Sequence, residues 1–311
     1  MEYQVFGRTG LRVSPVALGT GLWAGRNTVA ECLAMMDRAI DVGVNFIDTS
    51  NVYSAGASEE AIGEGLKGRR DSVVLATKVR TKVSDDHPND GGLSRTHIMS
   101  QVERSLTRLK TDYIDIYQMH HPDKNTPIEV SLRAFDDLIS QGKVRYVGTS
   151  NFTAPLLVET LWRSEVGGFD APISDQTGYS LIRRQVETDV LPWCRRYGLA
   201  FLAYSPLARG TLTGRYHIGD PPEIGSRVER LGFHKTDWWD GTLEVVETLR
   251  GHVLEKSCSL TQFAVAWLMR QPSVTPIIGP RTMEQLDDNL GALDVEITDE
   301  DLAFVDQISP S

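Results

Sequence analysis

Short apolar runs alternate with amphipathic stretches along the chain. Runs near residues 16–19, 44–48, 73–79, 113–120, 144–149, 173–176, 199–205 and 274–278 read as buried strands, and the segments between them carry the spacing of helices with one apolar face. Eight strand–helix units in succession predict an α/β fold, a closed (β/α)8 TIM barrel rather than an open sheet. Helix-start signals support the intervening segments: Thr28 with Glu31 and Thr282 with Gln285 have capping-box spacing, and Thr126-Pro127-Ile128-Glu129 adds proline at the first helical position. Before the first run, Tyr3 to Val13, with Gly7-Arg8-Thr9-Gly10 as its turn, reads as an N-terminal β-hairpin closing the barrel bottom. Pro206 to Asp240, rich in Gly and Pro, is expected to form a long loop on the C-terminal face, where it shapes a binding site or moves as a lid. No linker divides the chain, so residues 1–311 are expected to form one domain.

A parallel barrel places its site at the C-terminal ends of its strands. In order, those ends carry Gly19-Thr20-Gly21, Asp48 with Tyr53, Lys78, His120, Ser150-Asn151, Gln176, Tyr204-Ser205 and Gly279, nearly all polar or glycine. A lysine at the rim of a core loses hydration and needs a carboxylate, for which Asp48 is the natural candidate. That pair alone could be structural; with Tyr53 and His120 beside it, catalysis is favoured. A phenol titrates near pH 10, too high for ready proton transfer unless a cation such as Lys78 stabilises the phenolate. Tuned in this way, Tyr53 could protonate a carbonyl oxygen as hydride reaches the carbon, while His120 orients that oxygen. The hydride implies a nicotinamide cofactor, for whose amide Ser150, Asn151 and Gln176 are suited, with Tyr204 as a flat partner.

Other motifs read more plainly. Gly19-Thr20-Gly21-Leu22-Trp23-Ala24 matches the dinucleotide fingerprint G-x-G-x-x-A, but a helix is expected only from Thr28, so a tight loop is the better reading. His87, His97, His217, His234 and His252 are expected at solvated helix or loop positions. His121 could be a packing residue or a substrate contact. Trp238 and Trp239 could form a satellite cluster beneath the long loop or wall the substrate pocket.

A formal net charge of −10 argues against general affinity for nucleic acid or an anionic membrane, while leaving room for a local basic pocket. Three widely spaced cysteines, with no CxxC pair, suggest neither a disulfide framework nor a zinc site, and no metal is expected. No basic-then-apolar leader opens the chain and no segment approaches the roughly 18 apolar residues of a spanning helix, so a soluble, cytoplasmic protein is expected.

Seven motifs in order, Gly7-Arg8-Thr9-Gly10-Leu11, Phe46-Ile47-Asp48-Thr49 through Tyr53, Ala76-Thr77-Lys78, Tyr117-Gln118-Met119-His120, Val147-Gly148-Thr149-Ser150-Asn151-Phe152, Tyr204-Ser205-Pro206-Leu207 and Ile278-Gly279-Pro280-Arg281, resemble the aldo-keto reductases over almost the whole chain. The resemblance implies a (β/α)8 barrel that uses NADPH to reduce an aldehyde or ketone, with Tyr53 as general acid, Lys78 and Asp48 tuning it, and His120 orienting substrate. It implies carboxamide contacts from Ser150, Asn151 and Gln176, stacking by Tyr204, and a pyrophosphate stretch of Ser205, Pro206, Leu207 and Gly210. It also implies an adenosine segment of Ile278, Gly279, Arg281, Gln285 and Asn289, with Arg281 at the 2′-phosphate, and cofactor contacts from Gly19, Thr20, Gly21 and Asp48. The expected substrate pocket joins Trp23, Tyr53, His120 and His121 to Trp238 and Trp239. Relatives often carry a bulky residue where His121 stands, and the acidic loop Ser84 to Gly92 is expected to disfavour anionic substrates. Two alternatives follow from the same resemblance: a cofactor-sensing regulatory subunit like the potassium-channel β-subunits, and an NADP-dependent sugar or alcohol dehydrogenase.

Overall fold

The computed structural model describes residues 1–83, 87–236 and 238–310. Gln4–Val5 (β1) and Arg12–Val13 (β2) pair antiparallel. Eight parallel strands follow: Ala17–Gly19 (β3), Phe46–Asp48 (β4), Val74–Val79 (β5), Ile114–Met119 (β6), Val144–Ser150 (β7), Ser174–Gly178 (β8), Ala200–Tyr204 (β9) and Val274–Ile278 (β10). They are hydrogen-bonded in sequence, and β10 pairs with both β9 and β3, which closes the barrel. Each expected run supplies one of these strands.

Because successive strand side chains point to opposite faces, parity decides what fills the barrel. Ala17, Phe46, Val74, Ala76, Ile116, Ala200, Leu202 and Ile277 form an apolar floor, and Phe6 and Val13 of the hairpin segment pack against it. Phe6 meets Phe46 edge to face, 5.3 Å between centroids, which makes the hairpin the plug of the barrel bottom. Two residues further along the strands the same parity brings polar groups inward: Asp48 above Phe46, Lys78 above Ala76, Gln118 above Ile116.

The helical layer comprises Val29–Asp41 (α1), Ala57–Gly65 (α2), Arg95–Leu109 (α3), Ile128–Ser140 (α4), Ala154–Gly167 (α5) and Val190–Tyr197 (α6). The stretch expected as one long loop contains the short helix Arg227–Arg230 (α7) and ends inside Trp238–Val253 (α8); Leu260–Met269 (α9), Met283–Leu290 (α10) and Asp299–Ile308 (α11) follow. The capping box at Thr28 forms in full. At Thr282 the hydroxyl accepts from Gln285 N, but the Gln285 side chain turns to Arg281 N instead. The box expected at Thr126 does not form: its hydroxyl donates to Asp123 Oδ2, and α4 begins beyond Pro127 with no side-chain cap. None of the described helices is long and apolar enough to cross a membrane.

Candidate active site

The C-terminal mouth of the barrel opens into a cavity of ≈ 560 Å³. At its base lies a buried charge cluster. Lys78 Nζ, with the residue fully buried, donates to Asp48 Oδ2 at 2.6 Å and to the Thr49 carbonyl at 2.7 Å, and lies 3.3 Å from the Tyr53 hydroxyl oxygen. The other carboxylate oxygen of Asp48 accepts from Gln118 Nε2 at 3.1 Å and Gln176 Nε2 at 2.8 Å. Both carboxylate oxygens therefore meet donors, three in all. Such pairing lets an ion pair persist without water, whereas removing one partner of a buried pair costs about 3–5 kcal/mol.

Tyr53 reaches this cluster from a strained turn. Ser54 and Ala55 have φ of 49° and 55°, and Gly56 follows at 98°. Left-handed conformation costs a non-glycine residue roughly 1–2 kcal/mol, and the turn is held by Ser54 Oγ donating to the Trp23 carbonyl at 2.6 Å. Strain gathers at this end of the barrel: Ala24, Ser54, Ala55, Arg80, Asn151, Ser205, Ala208 and Arg209 all follow strand C-termini, eight of the eleven described non-glycine residues with positive φ.

The electrostatics revise one expectation. Burial raises the Tyr53 phenol above its usual value; the Lys78 ammonium pulls it down, as anticipated, but burial, helped by the Asp48 charge, outweighs that pull. Burial pulls Lys78 down, yet Asp48 and Tyr53 more than offset it, and the ammonium ends above its ordinary range. The resting pair is thus a neutral phenol beside a cation. The His120 imidazole is pushed down to about 3 by burial and then by the charges of Lys78, His121 and Arg80, so at neutral pH it is uncharged. Its ring stands edge-on to Tyr53 and lies flat against His121, centroids 4.9 Å apart.

Around this base the structure gathers most of the expected residues. Gly19, Gly21, Asp48, Tyr53, His120, His121, Ser150, Asn151, Gln176 and Tyr204 line the cavity, as do Ser205, Pro206, Leu207, Gly210, Gly279, Arg281, Gln285 and Asn289. Ser150 Oγ donates to the Gln176 carbonyl at 2.8 Å, and Asn151 Nδ2 donates to the His120 carbonyl at 3.0 Å and to Ser150 Oγ at 2.9 Å. The Tyr204 hydroxyl donates to Asn151 Oδ1 at 2.9 Å, which ties the ends of β7 and β9 together.

Several expectations need correction. Thr20 and Ile278 do not line the cavity. Each neighbours an inward residue in sequence, and pleat parity turns Ile278 into the outer core, while Thr20 bonds the Asp48 carbonyl and Ser58. Trp23 is 1% exposed and packs in the core between barrel and helices, leaving Leu22 as the wall residue. Trp239 forms the satellite cluster with Tyr216, Val228 and Leu243, and meets the ring of Tyr216, a cavity-lining residue, edge to face. The side chain of Trp238 and residues Ser84, Asp85 and Asp86 of the acidic loop lie outside the described residues. His97, expected in solvent, is buried beneath residues 89–90.

Sequence reasoning missed Gln118, whose signal was the inward parity it shares with Lys78 and Gln176. It also missed four arginines that line the cavity, Arg26, Arg209, Arg215 and Arg230. Arg26 and Arg215 lie in irregular loops, Arg209 in a 3-10 turn and Arg230 at the end of the four-residue α7, all too short for a periodicity to announce direction.

The match to the aldo/keto reductase family covers residues 15–310, and the chain belongs to that family. Over 324 residues it is 39% identical to an uncharacterized oxidoreductase, YrpG, of Bacillus subtilis (strain 168), spanning 100% of this chain and 96% of the relative. It is 37% identical to a probable voltage-gated potassium channel subunit beta of Oryza sativa subsp. japonica, spanning 95% and 92%. It is 32% identical to versiconal hemiacetal acetate reductase of Aspergillus parasiticus, spanning 99% and 96%.

A depressed histidine has a definite consequence for stability. Free His120 would titrate near 6.5 and the folded group near 3, so between those values the unfolded chain binds a proton that the folded chain does not. Its contribution to stability is therefore lost as pH falls below about 6.5. Urea midpoints measured from pH 7 to pH 5 should fall more steeply for the wild type than for His120→Asn; parallel curves would contradict a neutral buried His120.

Proposed function

We propose that this chain is an NADPH-dependent aldo-keto reductase, acting as one catalytic domain, that reduces an aldehyde or ketone and can run in reverse on an alcohol. The observation that carries this reading is the Asp48–Lys78–Tyr53 cluster at the base of the cavity. Membership of a family of reductases, and the likeness to an oxidoreductase and a hemiacetal acetate reductase, support the class.

The cavity suits a phosphorylated dinucleotide. Five arginines, Arg26, Arg209, Arg215, Arg230 and Arg281, line it against one carboxylate, Asp288, beyond the paired Asp48. NADPH carries roughly four negative charges, two on the pyrophosphate and up to about two on the 2′-phosphate, where NADH has only the first pair. A surplus of this size in a chain of net charge −10 fits the phosphorylated form. Gly210, at φ of +100° with open space before it, leaves the backbone accessible to a phosphate, and Asn289 presents a buried Oδ1 without a partner in the same cavity. Three unpaired cysteines fit a reducing compartment such as the cytoplasm.

NADPH, when bound, supplies the hydride. The chain's own residues place and move the proton. Tyr53, neutral at rest, holds its proton at the cavity base and can give it to a carbonyl oxygen that gains charge. As the proton leaves, the Lys78 ammonium stabilises the phenolate, and the Asp48 carboxylate keeps that ammonium charged and in place. His120, uncharged, can donate a hydrogen bond to the same oxygen without competing as an acid. Run backwards, the phenolate accepts the proton of an alcohol.

The likeness to a probable channel β-subunit favours a second reading, a cofactor-sensing regulatory subunit; a third is a sugar or alcohol dehydrogenase. A panel of aldehydes, ketones, sugars and alcohols with both cofactors separates them, since negligible turnover of every carbonyl beside tight NADPH binding would favour the sensor. Tyr53→Phe should lower kcat at least a thousandfold and leave NADPH affinity within about twofold; unchanged turnover would reject Tyr53 as the acid. Arg281→Ala should weaken NADPH binding at least tenfold more than NADH binding, and equal losses would remove the assigned phosphate contact.

A further inference from the structure

A neutral imidazole donates only from the nitrogen that holds its proton, so the tautomer of His120 matters as much as its charge. Nε2 is the atom available to a substrate when Nδ1 is engaged behind the ring. Behind it lies Ser50, fully buried, with Oγ 3.2 Å from His120 Nδ1. Among the described residues no other side chain hydrogen-bonds the ring. In particular no carboxylate holds Nδ1, the arrangement that commonly fixes a catalytic histidine.

The same serine hydroxyl stands 3.4 Å from Asn51 Oδ1. Asn51 Nδ2 donates to Gln101 Oε1 at 3.1 Å, which turns the amide oxygen toward Ser50. Ser50 therefore has one proton and two candidate acceptors. If the proton goes to His120 Nδ1, Nε2 carries hydrogen and can donate to a carbonyl oxygen. If it goes to Asn51, Nδ1 must itself be protonated to pair with Ser50, and Nε2 presents a lone pair that would repel that oxygen. The shorter distance is the one to His120.

Resting on the reading of His120 as the group that faces the substrate oxygen, we propose that Ser50 is a positioning residue that sets the tautomer of His120, holding its proton on Nε2. Ser50 is buried and does not line the cavity, so it acts through the imidazole alone.

The test reads the tautomer directly, by nitrogen NMR of 15N-histidine-labelled full-length protein at pH 7, in wild type and Ser50→Ala. The wild type should show His120 protonated at Nε2; Ser50→Ala should shift it to a mixture or to Nδ1, and Ser50→Thr, which keeps the hydroxyl, should restore it. In carbonyl reduction Ser50→Ala should lose about tenfold in kcat with KM for NADPH unchanged, and Ser50→Thr should recover to within about threefold. An unchanged tautomer in Ser50→Ala overturns the proposal, as does a kcat equal to that of the wild type. Should Ser50→Ala misfold, Ser50→Cys, nearly isosteric with a much weaker donor, carries the same expectations. His120→Ala separates the two levels: full turnover in that variant would sink the role of His120 itself, while the tautomer shift would still judge Ser50.

Discussion

The site depends on one buried ion pair. Lys78 sits where water does not reach, and a lone ammonium there would lose its proton or unfold the barrel mouth. Asp48 prevents both, and its other carboxylate oxygen is in turn held by Gln118 and Gln176. Four strands, β4, β5, β6 and β8, thus converge on a single carboxylate, and the geometry of the mouth follows from satisfying it. Placement of the phenol 3.3 Å from the ammonium is a consequence of that convergence together with the strained turn that delivers Tyr53.

Rigidity at the base contrasts with irregularity above it. The strand ends carry hydrogen bonds from side chain to side chain, Tyr204 to Asn151 to Ser150, while the loops beyond them hold the left-handed residues and the arginines. An apolar floor plugged by Phe6 separates this polar mouth from the barrel bottom. The division suits the proposed function, in which proton chemistry needs fixed distances and an anionic cofactor needs a cationic wall.

Much of this was legible before any coordinates. Apolar runs at regular spacing gave the eight strands, since a buried parallel strand has little freedom in composition. Polar residues at their ends pointed to Asp48, Tyr53, Lys78 and His120, because an ionisable group at the edge of a core is costly unless it is used or paired. What escaped was parity and loop direction. Thr20 and Ile278 stand one residue from inward positions and point the other way, while Gln118, two residues before His120, points in with Lys78. Trp23, expected in the substrate pocket, follows a strand end, but a short turn carries it into the core. The sign of the Tyr53 shift was misjudged because the pull of Lys78 was weighed without the burial that brings the two together.

The most direct test of the account is the pH profile of Lys78→Met, a change that removes the cation and keeps most of the length of the side chain. Without the ammonium the phenolate loses its stabilising charge, so carbonyl reduction at pH 7 should fall at least a hundredfold. The rise of alcohol oxidation with pH should move to higher pH, with NADPH affinity nearly unchanged. Profiles of Lys78→Met that superimpose on those of the wild type in both directions would contradict the central claim, that a buried cation governs the proton of Tyr53.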